Sequence, residues 1–372
     1  MTSILLVLLL SACFVGCQFH SMLDVDSSQN SEESKSQING DALLGPGTNE
    51  TDSESESAVQ VPDTHTYYSL LTGLPTTKQL SQARPIAVCV GNTTASLPQY
   101  GLSFADILIE APVEGGSTRL MAVTENYASV NCYGSIRSTR DYLQILASGF
   151  DAMSIYAGTS DIDEKTSYDV GDSLDYIAQN LTTTFYRDSQ RKSPHNLMTS
   201  GSLLSLAIDD CGYRTVTSGD ALPYQIATDT SKTATSRTLP ASKVELPFSS
   251  LQNTVFTYDS AKNVYLRSQN GSEHIDAGNL TQLQYRNLIL VFCDSVTKPN
   301  ASGNTTLTMS LNDGGTAYYI SGGKAAEIRW SCASEASSLT FTDIAGKPLV
   351  ISAGKTYIGL LKSATLETIV IE

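Results

Sequence analysis

The sequence predicts an α+β protein in which an N-terminal layered α/β domain precedes a smaller, mainly β C-terminal domain. Three observations lead to this fold class. Continuous apolar runs between residues 84 and 157 are typical of strands that are buried on both faces. Apolar residues also recur at helical spacing between residues 139 and 150. From about residue 222 onward, short strands alternate with Gly-containing turns, which favours a small β-sandwich or barrel.

The first residues predict export and a lipid anchor. Residues 4–10 form an unbroken apolar run, and the small residues Ser11 and Ala12 follow it, as in a secretory signal. The segment that ends at Cys13 also resembles the bacterial lipobox, in which the cysteine is diacylated. Residues 1–17 are therefore interpreted as signal peptide and lipobox, with Cys13 as the lipidation site and Cys17 as the alternative. Two acyl chains would anchor the protein stably at the extracytoplasmic face of the cell membrane.

A Ser-rich, acidic segment separates this leader from the folded part. Residues 18–66 contain few apolar residues and many Ser, Asp and Glu residues. Such a composition cannot bury enough apolar surface to offset the entropy cost of ordering. We therefore expect a disordered tether that is extended by its own charge.

The charge balance excludes nucleic acid as a partner. The 372 residues include 23 Lys and Arg and 38 Asp and Glu, which gives a net charge of −15. An acidic chain without a Lys/Arg-rich patch would repel a phosphate backbone. No apolar run after the N-terminus approaches the ~20 residues that span a bilayer, so the membrane is expected as a partner only through the lipid anchor.

The N-terminal domain is predicted to cover residues 67–220. An amphipathic helix is expected from Thr139 to Ser148, with Gly149 placed to end it, and a second helix is expected over residues 203–210. The expected strands cover residues 84–90, 105–110, 120–124 and 153–157.

The C-terminal domain is predicted to cover residues 221–372. A hairpin is expected around the polar turn at residues 259–263, because β-rich segments flank this turn. The other expected strands cover residues 288–292, 339–342, 349–351 and 356–358.

The cysteines predict neither a zinc site nor thioredoxin-like chemistry. No C-x-x-C motif occurs, and no His lies close to a Cys of the folded part, so neither a metal nor a cofactor is predicted. Cys293 and Cys332 would either form a disulfide or remain buried thiols. Cys89 lies in an apolar run, where cysteine serves as a small hydrophobic residue.

The most distinctive chemical pattern lies at the predicted start of the first helix. Ser138 and Asp141 have the spacing of a capping box. Arg137 and Arg140 would then place two guanidinium groups at the positive end of the helix, where cations are unfavourable unless an anion joins them. The pattern predicts a site for a carboxylate, a phosphate or an acidic glycan. In the alternative interpretation, internal acids neutralise the arginines in a structural network, and the acids available for this are Glu110, Glu114 and Asp141.

A second basic segment, residues 187–196, contains one of only four histidines. Because His195 follows Pro194, we expect it on a rigid loop. Its functional interpretation is a general acid/base or an oxyanion donor, and the alternative is a structural loop histidine. The predicted ligand-binding set combines both segments with their neighbours: Arg137, Arg140, His195, Arg119, Arg187, Glu114, Asn196 and Ser138.

Two carboxylates four residues apart suggest a glycosidase pair. Pro112 between Glu110 and Glu114 excludes an ordinary helix, and an extended strand would separate their Cα atoms by ~13 Å at ~3.3 Å per residue. Retaining glycosidases need about 5.5 Å and inverting ones about 6.5–9.5 Å, so the spacing weakens this interpretation unless the chain bends. Neither a phosphate-binding glycine loop nor a G-x-S-x-G nucleophile elbow occurs, and the enzyme question stays open.

Several segments resemble a known family, the YerB-like lipoproteins. In the first half these are residues 84–88, 101–107, 113–119, 134–140 and 194–200, and in the second half residues 265–267, 270–271 and 354–358. The resemblance covers nearly everything from Tyr67 to Glu372. Cys89 and Gly91 depart from it, because they stand where the family more often has an apolar residue and an acidic one. The resemblance implies a bacterial extracytoplasmic lipoprotein of two family-typical domains, and it supplies no reaction.

Three functions follow as hypotheses. The first is a lipoprotein that binds an anionic cell-envelope ligand through Arg137, Arg140 and His195. The second is a hydrolase or transferase that acts on envelope polymers, with His195 as acid/base and Glu114 as its partner. The third is a scaffold that presents the β domain to a partner protein.

Overall fold

The structure is a computed structural model that describes residues 65–159, 171–220, 222–227, 235–299, 303–312, 314–333 and 338–372. The predicted signal peptide with Cys13 lies outside the described residues. The predicted tether also lies outside them, apart from residues 65 and 66.

The described residues form a mainly β fold with two α-helices. The helices are α1 (Asp141–Ser148) and α2 (Gly201–Asp210). Up to residue 220 the strands are β1 (Tyr67–Tyr68), β2 (Pro75–Thr76), β3 (Ile86–Gly91), β4 (Ile107–Pro112), β5 (Thr118–Thr124), β6 (Tyr133–Gly134), β7 (Met153–Tyr156), β8 (Ser173–Asp175), β9 (Tyr186–Arg187) and β10 (Leu197–Thr199). Beyond it they are β11 (Gln225–Ala227), β12 (Leu239–Pro240), β13 (Lys243–Ser249), β14 (Gln252–Asp259), β15 (Val264–Gln269), β16 (Ser272–Glu273), β17 (Ile275–Asp276), β18 (Thr281–Gln282), β19 (Gln284–Tyr285), β20 (Asn287–Cys293), β21 (Ser295–Pro299), β22 (Thr305–Met309), β23 (Gly314–Ser321), β24 (Lys324–Cys332), β25 (Leu339–Asp343), β26 (Val350–Ser352), β27 (Thr356–Lys362) and β28 (Val370–Ile371).

One large sheet contains strands from both halves of the chain. Its order is β12-β24-β23-β20-β27-β4-β5-β3-β7-β8, and β25 pairs with β24. The halves meet where β27 runs parallel to β4, with Ile358 opposite Ile109. The layered α/β arrangement expected for residues 67–220 is therefore not confirmed, because the strands of this segment complete a sheet that the second segment also builds.

Both faces of the central part of the large sheet, from β20 to β7, are buried, as the continuous apolar runs predict. On one face, Cys89 of β3 belongs to the same apolar cluster as Leu143 of α1. On the other face, Val88 belongs to a cluster with Leu204 of α2 and Phe256 of β14. The second layer on this face is a six-stranded sheet in the order β16-β15-β14-β13-β28, with β19 beside β15.

The first helix begins later than its sequence pattern predicts. Arg140 occupies the N-cap position without a side-chain cap, so the predicted capping box from Ser138 is wrong. The physical reason is that backbone hydrogen bonds hold residues 137–139 extended beside the end of β7. Ala157 N–H donates to Arg137 O and Thr139 N–H donates to Gly158 O, each at 3.1 Å. Gly149 follows the last helical residue, as predicted.

Of the two alternatives for Cys293 and Cys332, the disulfide does not form. Cys293 is a free cysteine in the core, at the end of β20, so it is not joined to Cys332. Cys89 is fully buried. Neither α1 nor α2 is long and apolar enough to cross a membrane, and no other helix in the described ranges is.

Candidate functional site

The structure brings the two basic segments together. Arg137 Nη1 lies 3.3 Å from His195 Nδ1 and 3.4 Å from Pro194 O. The contact arises because β10 pairs with β6 and Ile136 N–H donates to Leu197 O at 2.7 Å, which places the two segments side by side. Arg137 and His195 are both partly exposed, so a ligand in solution can reach them.

The hydrogen bonds of His195 fix its neutral tautomer. A guanidinium group can only donate, so Nδ1 accepts from Arg137 and the ring proton of the neutral imidazole lies on Nε2. Ser96 Oγ is 3.0 Å from the same Nδ1, and Thr93 Oγ1 is 3.0 Å from Ser96 Oγ. Burial and the charges of Arg137, Arg119 and Arg191 lower the pKa of His195. His195 is therefore a neutral ring with one N–H donor at neutral pH.

Arg119 lies beside Arg137 through the register of the sheet. Arg119 of β5 pairs with Gly91 of β3, and a Cβ placed on Gly91 would be 2.8 Å from Arg137 Cγ. Arg119 is 7% exposed and donates from Nε to Ser138 O at 3.2 Å. Burial, reinforced by the charges of Arg137 and Arg140, lowers the pKa of Arg119 to about 10. The side chain is thus a cation held away from water.

Arg140 is neutralised internally, which is the alternative interpretation of the arginine pattern. Its Nε is 3.1 Å from Glu114 Oε1 and its Nη2 is 2.5 Å from Glu114 Oε2. Glu114 Oε1 also accepts from Leu307 N–H at 2.8 Å. Burial raises the pKa of Glu114, but the hydrogen bonds and charge of Arg140 outweigh it and hold this pKa below its usual value. Arg140 and Glu114 form an ion pair that ties α1 to β22.

The remaining cations have no acidic partner in contact. Among the described residues, no carboxylate forms an ion pair with Arg119, Arg137, Arg191 or His195. Arg191 donates instead to the backbone carbonyls of Ser96 and Pro98, at 2.6 and 2.8 Å. Three guanidinium groups, those of Arg119, Arg137 and Arg191, thus lie near His195 in a protein whose net charge is −15.

Arg187 and Asn196 support the loop and do not reach the Arg137–His195 contact. Arg187 Nη1 donates to Asn196 Oδ1 at 2.8 Å, and its guanidinium lies 5.7 Å from the centroid of the Tyr176 ring. No hydrogen bond or ion pair in the described ranges joins Arg187 to Arg137 or His195. Ser138 contributes its carbonyl to Arg119 and its hydroxyl to Arg140, at 3.4 Å from Nη1.

Glu110 lies in a buried network and not in a catalytic pair with Glu114. Its Oε2 is 2.8 Å from Arg267 Nη2 and accepts from Tyr357 Oη at 2.9 Å. The side chains of Glu110 and Arg267 are both 0% exposed, and Arg267 Nη1 donates to His274 Nδ1. The glycosidase pair is therefore wrong, because Arg267 of the second sheet neutralises the carboxylate of Glu110 inside the protein.

This buried network supports the candidate site through the loop after β3. Asn92 Nδ2 donates to Glu110 Oε1 at 3.1 Å, and Gln99 Nε2 donates to Asn92 Oδ1 at 2.9 Å. Ser96 lies between these two residues, so the network holds the loop that brings Ser96 to His195. Sequence reasoning missed Ser96, Asn92 and Gln99, because nothing local distinguishes these polar residues from others in a Ser- and Asn-rich chain.

No group of three His, Cys, Asp or Glu side chains in the described part of the chain could hold a metal ion. The guanidinium groups and the imidazole N–H of this site are donors of the kind that match carboxylate and phosphate oxygens.

Comparisons with known proteins place the chain among proteins of unassigned biochemistry. Residues 71–214 match the family described as "Protein of unknown function (DUF3048) N-terminal domain", and residues 244–358 match its C-terminal domain. The chain is 28% identical over 312 residues to a Bacillus subtilis (strain 168) protein named "Putative lipoprotein YerB", covering 81% of this chain and 88% of that protein. The crystal structure of YerB from Bacillus subtilis superimposes with a TM-score of 0.70 at 25% identity, covering 82% of this chain and 99% of that chain.

Proposed function

The chain belongs to the DUF3048 family, and from this premise we propose that it is a membrane-anchored extracytoplasmic lipoprotein that binds an anionic cell-envelope ligand. The two family matches and the likeness to YerB confirm the resemblance seen in the sequence motifs. The name of that relative and the Cys13 motif of this chain support the lipid anchor. The ligand site consists of Arg119, Arg137 and His195.

One observation supports the ligand site more than any other. Arg137 meets His195 at 3.3 Å, and neither has an acidic partner in the described part of the chain. The neutral ring of His195 accepts a hydrogen bond from Arg137 but adds no negative charge, so the charge of Arg137 remains available to a bound anion. The internal pairing of Arg140 with Glu114 shows the ordinary structural solution a few residues away.

The donors define the class of ligand. The guanidinium of Arg137 offers a planar fork, and His195 offers one N–H from Nε2. Such a set matches the oxygens of a phosphate or carboxylate group, both of which occur in acidic envelope polymers. Binding should weaken as salt is added, because Arg137 is partly exposed and its charge is screened.

The test is calorimetric titration of the full-length protein in detergent with inorganic phosphate and with isolated anionic wall polymer. We expect Arg137→Ala combined with His195→Gln to weaken binding at least about tenfold, since each lost charge-assisted hydrogen bond contributes roughly 1.5–3 kcal/mol. Arg329→Ala is the matched control, because Arg329 is an exposed arginine that pairs with Glu327. Equal binding by the wild type and the double variant would contradict the proposed ligand site.

The anchor needs its own test. Cys13→Ser should release the protein from the membrane fraction, whereas Cys17→Ser should leave it there, because only the lipidated cysteine holds the chain on the bilayer. Metabolic labelling with a fatty acid checks both variants. Loss of label in Cys17→Ser alone would move the anchor to Cys17.

A second candidate function is a hydrolase or transferase that acts on envelope polymers. The observation in its favour is the 3.0 Å distance between Ser96 Oγ and His195 Nδ1, which is the geometry of a hydroxyl beside a base. Ser96 is fully buried, which argues against direct attack on a polymer. His195→Gln should abolish turnover while leaving the fold intact, and absence of turnover by the wild type on a panel of wall fragments would exclude this function.

A further inference from the structure

A cavity lies apart from the Arg137–His195 site, beside the end of α1. Its volume is about 290 Å³. The cavity is surrounded by the turn at residues 69–71, the end of α1, the residues before β3, residues 217–220 and Leu222. This volume is at the lower end of the ~300–1,000 Å³ range of small-molecule sites.

Part of the cavity wall is apolar. Leu71 and Phe150 are 1% and 3% exposed, and both line the space. Pro85 and the partly buried Leu222 also line it. A hydrocarbon group would pack against this wall, and its binding would be favoured because apolar surface is removed from water.

The other part of the wall is acidic. Glu125, Asp151 and Asp220 line the cavity, and no Lys, Arg or His does so among the described residues. Arg84 and Arg214 bind Asp151, and Ser218 Oγ donates to Asp220. Two of the three acids therefore already have partners.

Glu125 is the buried one of the three acids, and it has no counter-charge among the described residues. It is 6% exposed and accepts from Leu71 N–H at 3.0 Å, yet it forms no ion pair with any described residue. Asp106 lies close by, since its Oδ2 accepts from Glu125 N–H at 2.9 Å. A nearly buried carboxyl group next to a second acid is unfavourable in its charged form unless a cation compensates it.

We propose that this cavity binds a small organic ammonium ion. Its nitrogen would contact the carboxylate of Glu125, while its hydrocarbon part would lie against Leu71 and Phe150. The Arg137–His195 site has the opposite charge preference, so the two sites would take ligands of opposite sign.

The charged groups around Glu125 determine the pH dependence of this binding. Burial, reinforced by Asp106 and opposed by a hydrogen bond from Ser69, raises the pKa of Glu125 to about 7. Asp151 and Asp220 line the same cavity, and burial raises the pKa of Asp106 although the charge of Lys355 opposes this. Protonation of Glu125 removes the negative charge that the ammonium needs. Affinity should therefore fall as the pH drops through about 7.

The test is calorimetric titration of the full-length protein at about pH 8 with benzylammonium chloride and two uncharged or anionic analogues of the same size. Benzylammonium should bind at least about tenfold more tightly than benzyl alcohol, and benzoate should not bind. At about pH 6 the affinity for benzylammonium should be lower. No binding of benzylammonium, or equal binding of benzyl alcohol, would overturn the proposal.

Variants assign the binding to this cavity. Glu125→Gln keeps an oxygen that can accept from Leu71 N–H, and it should lose at least about tenfold in benzylammonium affinity. Glu327→Gln is the matched control, because Glu327 lies in an exposed ion pair. Thr217→Trp should fill the cavity from its loop and block binding without touching Glu125. Unchanged affinity in both cavity variants would overturn the proposal, and Arg137→Ala should leave benzylammonium binding intact.

Discussion

Arg137 Nη1 lies 3.3 Å from Nδ1 of His195, although the two residues are 58 positions apart in the chain. The guanidinium donates, so the imidazole accepts at Nδ1 and keeps its proton on Nε2. A cation in this position disfavours a second positive charge on the ring. The pair therefore remains a neutral donor beside a permanent cation until an anion arrives.

The pKa of His195 should report this contact. It lies below the ordinary value of 6.5 in the wild type, because burial and neighbouring charges disfavour the imidazolium. Arg137→Gln removes one of those charges, so the pKa should rise toward 6.5. NMR titration of the His195 ring measures it, with Arg329→Gln as control. Saturating phosphate should also raise this pKa in the wild type. A pKa that moves in neither case would contradict the contact.

Replacing Glu114 should lower the stability of the protein but raise its affinity for phosphate. Glu114→Gln breaks the ion pair with Arg140 and should reduce the free energy of unfolding by about 1–3 kcal/mol. It should also increase phosphate affinity, because it removes a negative charge near Arg119 and leaves Arg140 uncompensated. Urea unfolding and calorimetry measure the two effects.

The pH dependence of this stability difference follows from the lowered pKa of Glu114. A carboxyl group with a depressed pKa in the folded state stabilises fully above its unfolded value of 4.5. The contribution is lost as the pH falls through the folded value. The wild type and Glu114→Gln should therefore converge in acid. Weaker phosphate binding by Glu114→Gln would instead indicate that Glu114 itself contacts the ligand.

Removing only one partner of the buried pair of Glu110 and Arg267 should strongly reduce the stability of the protein. Arg267→Met leaves a fully buried carboxylate without its counter-charge and should destabilise the protein by roughly 3–5 kcal/mol. Glu110→Leu combined with Arg267→Met should destabilise less than the sum of the single changes. Urea unfolding gives the three free energies. Arg329→Met, in an exposed pair, should change stability by no more than about 1 kcal/mol. Strict additivity would contradict the coupling.

Gly91 should control the position of Arg137. The Cβ of Gly91→Ala would lie 2.5 Å from Ser96 Oγ and 2.8 Å from Arg137 Cγ, closer than real Cβ contacts allow. We expect a loss of about 1–3 kcal/mol in stability from overpacking, and weaker phosphate binding because both side chains must move. Gly278→Ala is the control, since its nearest contact is 3.2 Å. Unchanged phosphate affinity in Gly91→Ala would show that the site does not depend on this placement.

Local periodicity predicted the longer strands and the two helices of the first segment, but not its short strands. The run at residues 84–90 corresponds to β3, and the run at residues 120–124 lies within β5. These strands are buried on both faces, so their sequences are continuously apolar, and this signal is strong. The predicted first helix was too long by two residues at its start, because the hydrogen bonds of Thr139 to a distant loop override the local capping signal.

Pairing between distant segments could not be predicted in the same way. Nothing in the sequence of β27 indicates that it lies beside β4, so the sequence predicts the two halves as separate domains. The partner of Glu110 was missed for the same reason, because Arg267 lies on a strand of the second sheet, 157 positions away. The pairing of β27 with β4 argues against a scaffold role for residues 222–372 alone, because that segment shares a sheet with the first half of the chain.

The sequence by itself determined several of the buried strands and which segments are basic, because both depend on neighbouring residues and composition. Only the tertiary structure decided which of the basic side chains keep an uncompensated charge. Glu114 neutralises Arg140, whereas Arg137 lies against His195 without an acid in the described ranges. Sheet register sets these contacts, and a charge is compensated or exposed according to which distant strand brings a partner within hydrogen-bonding distance.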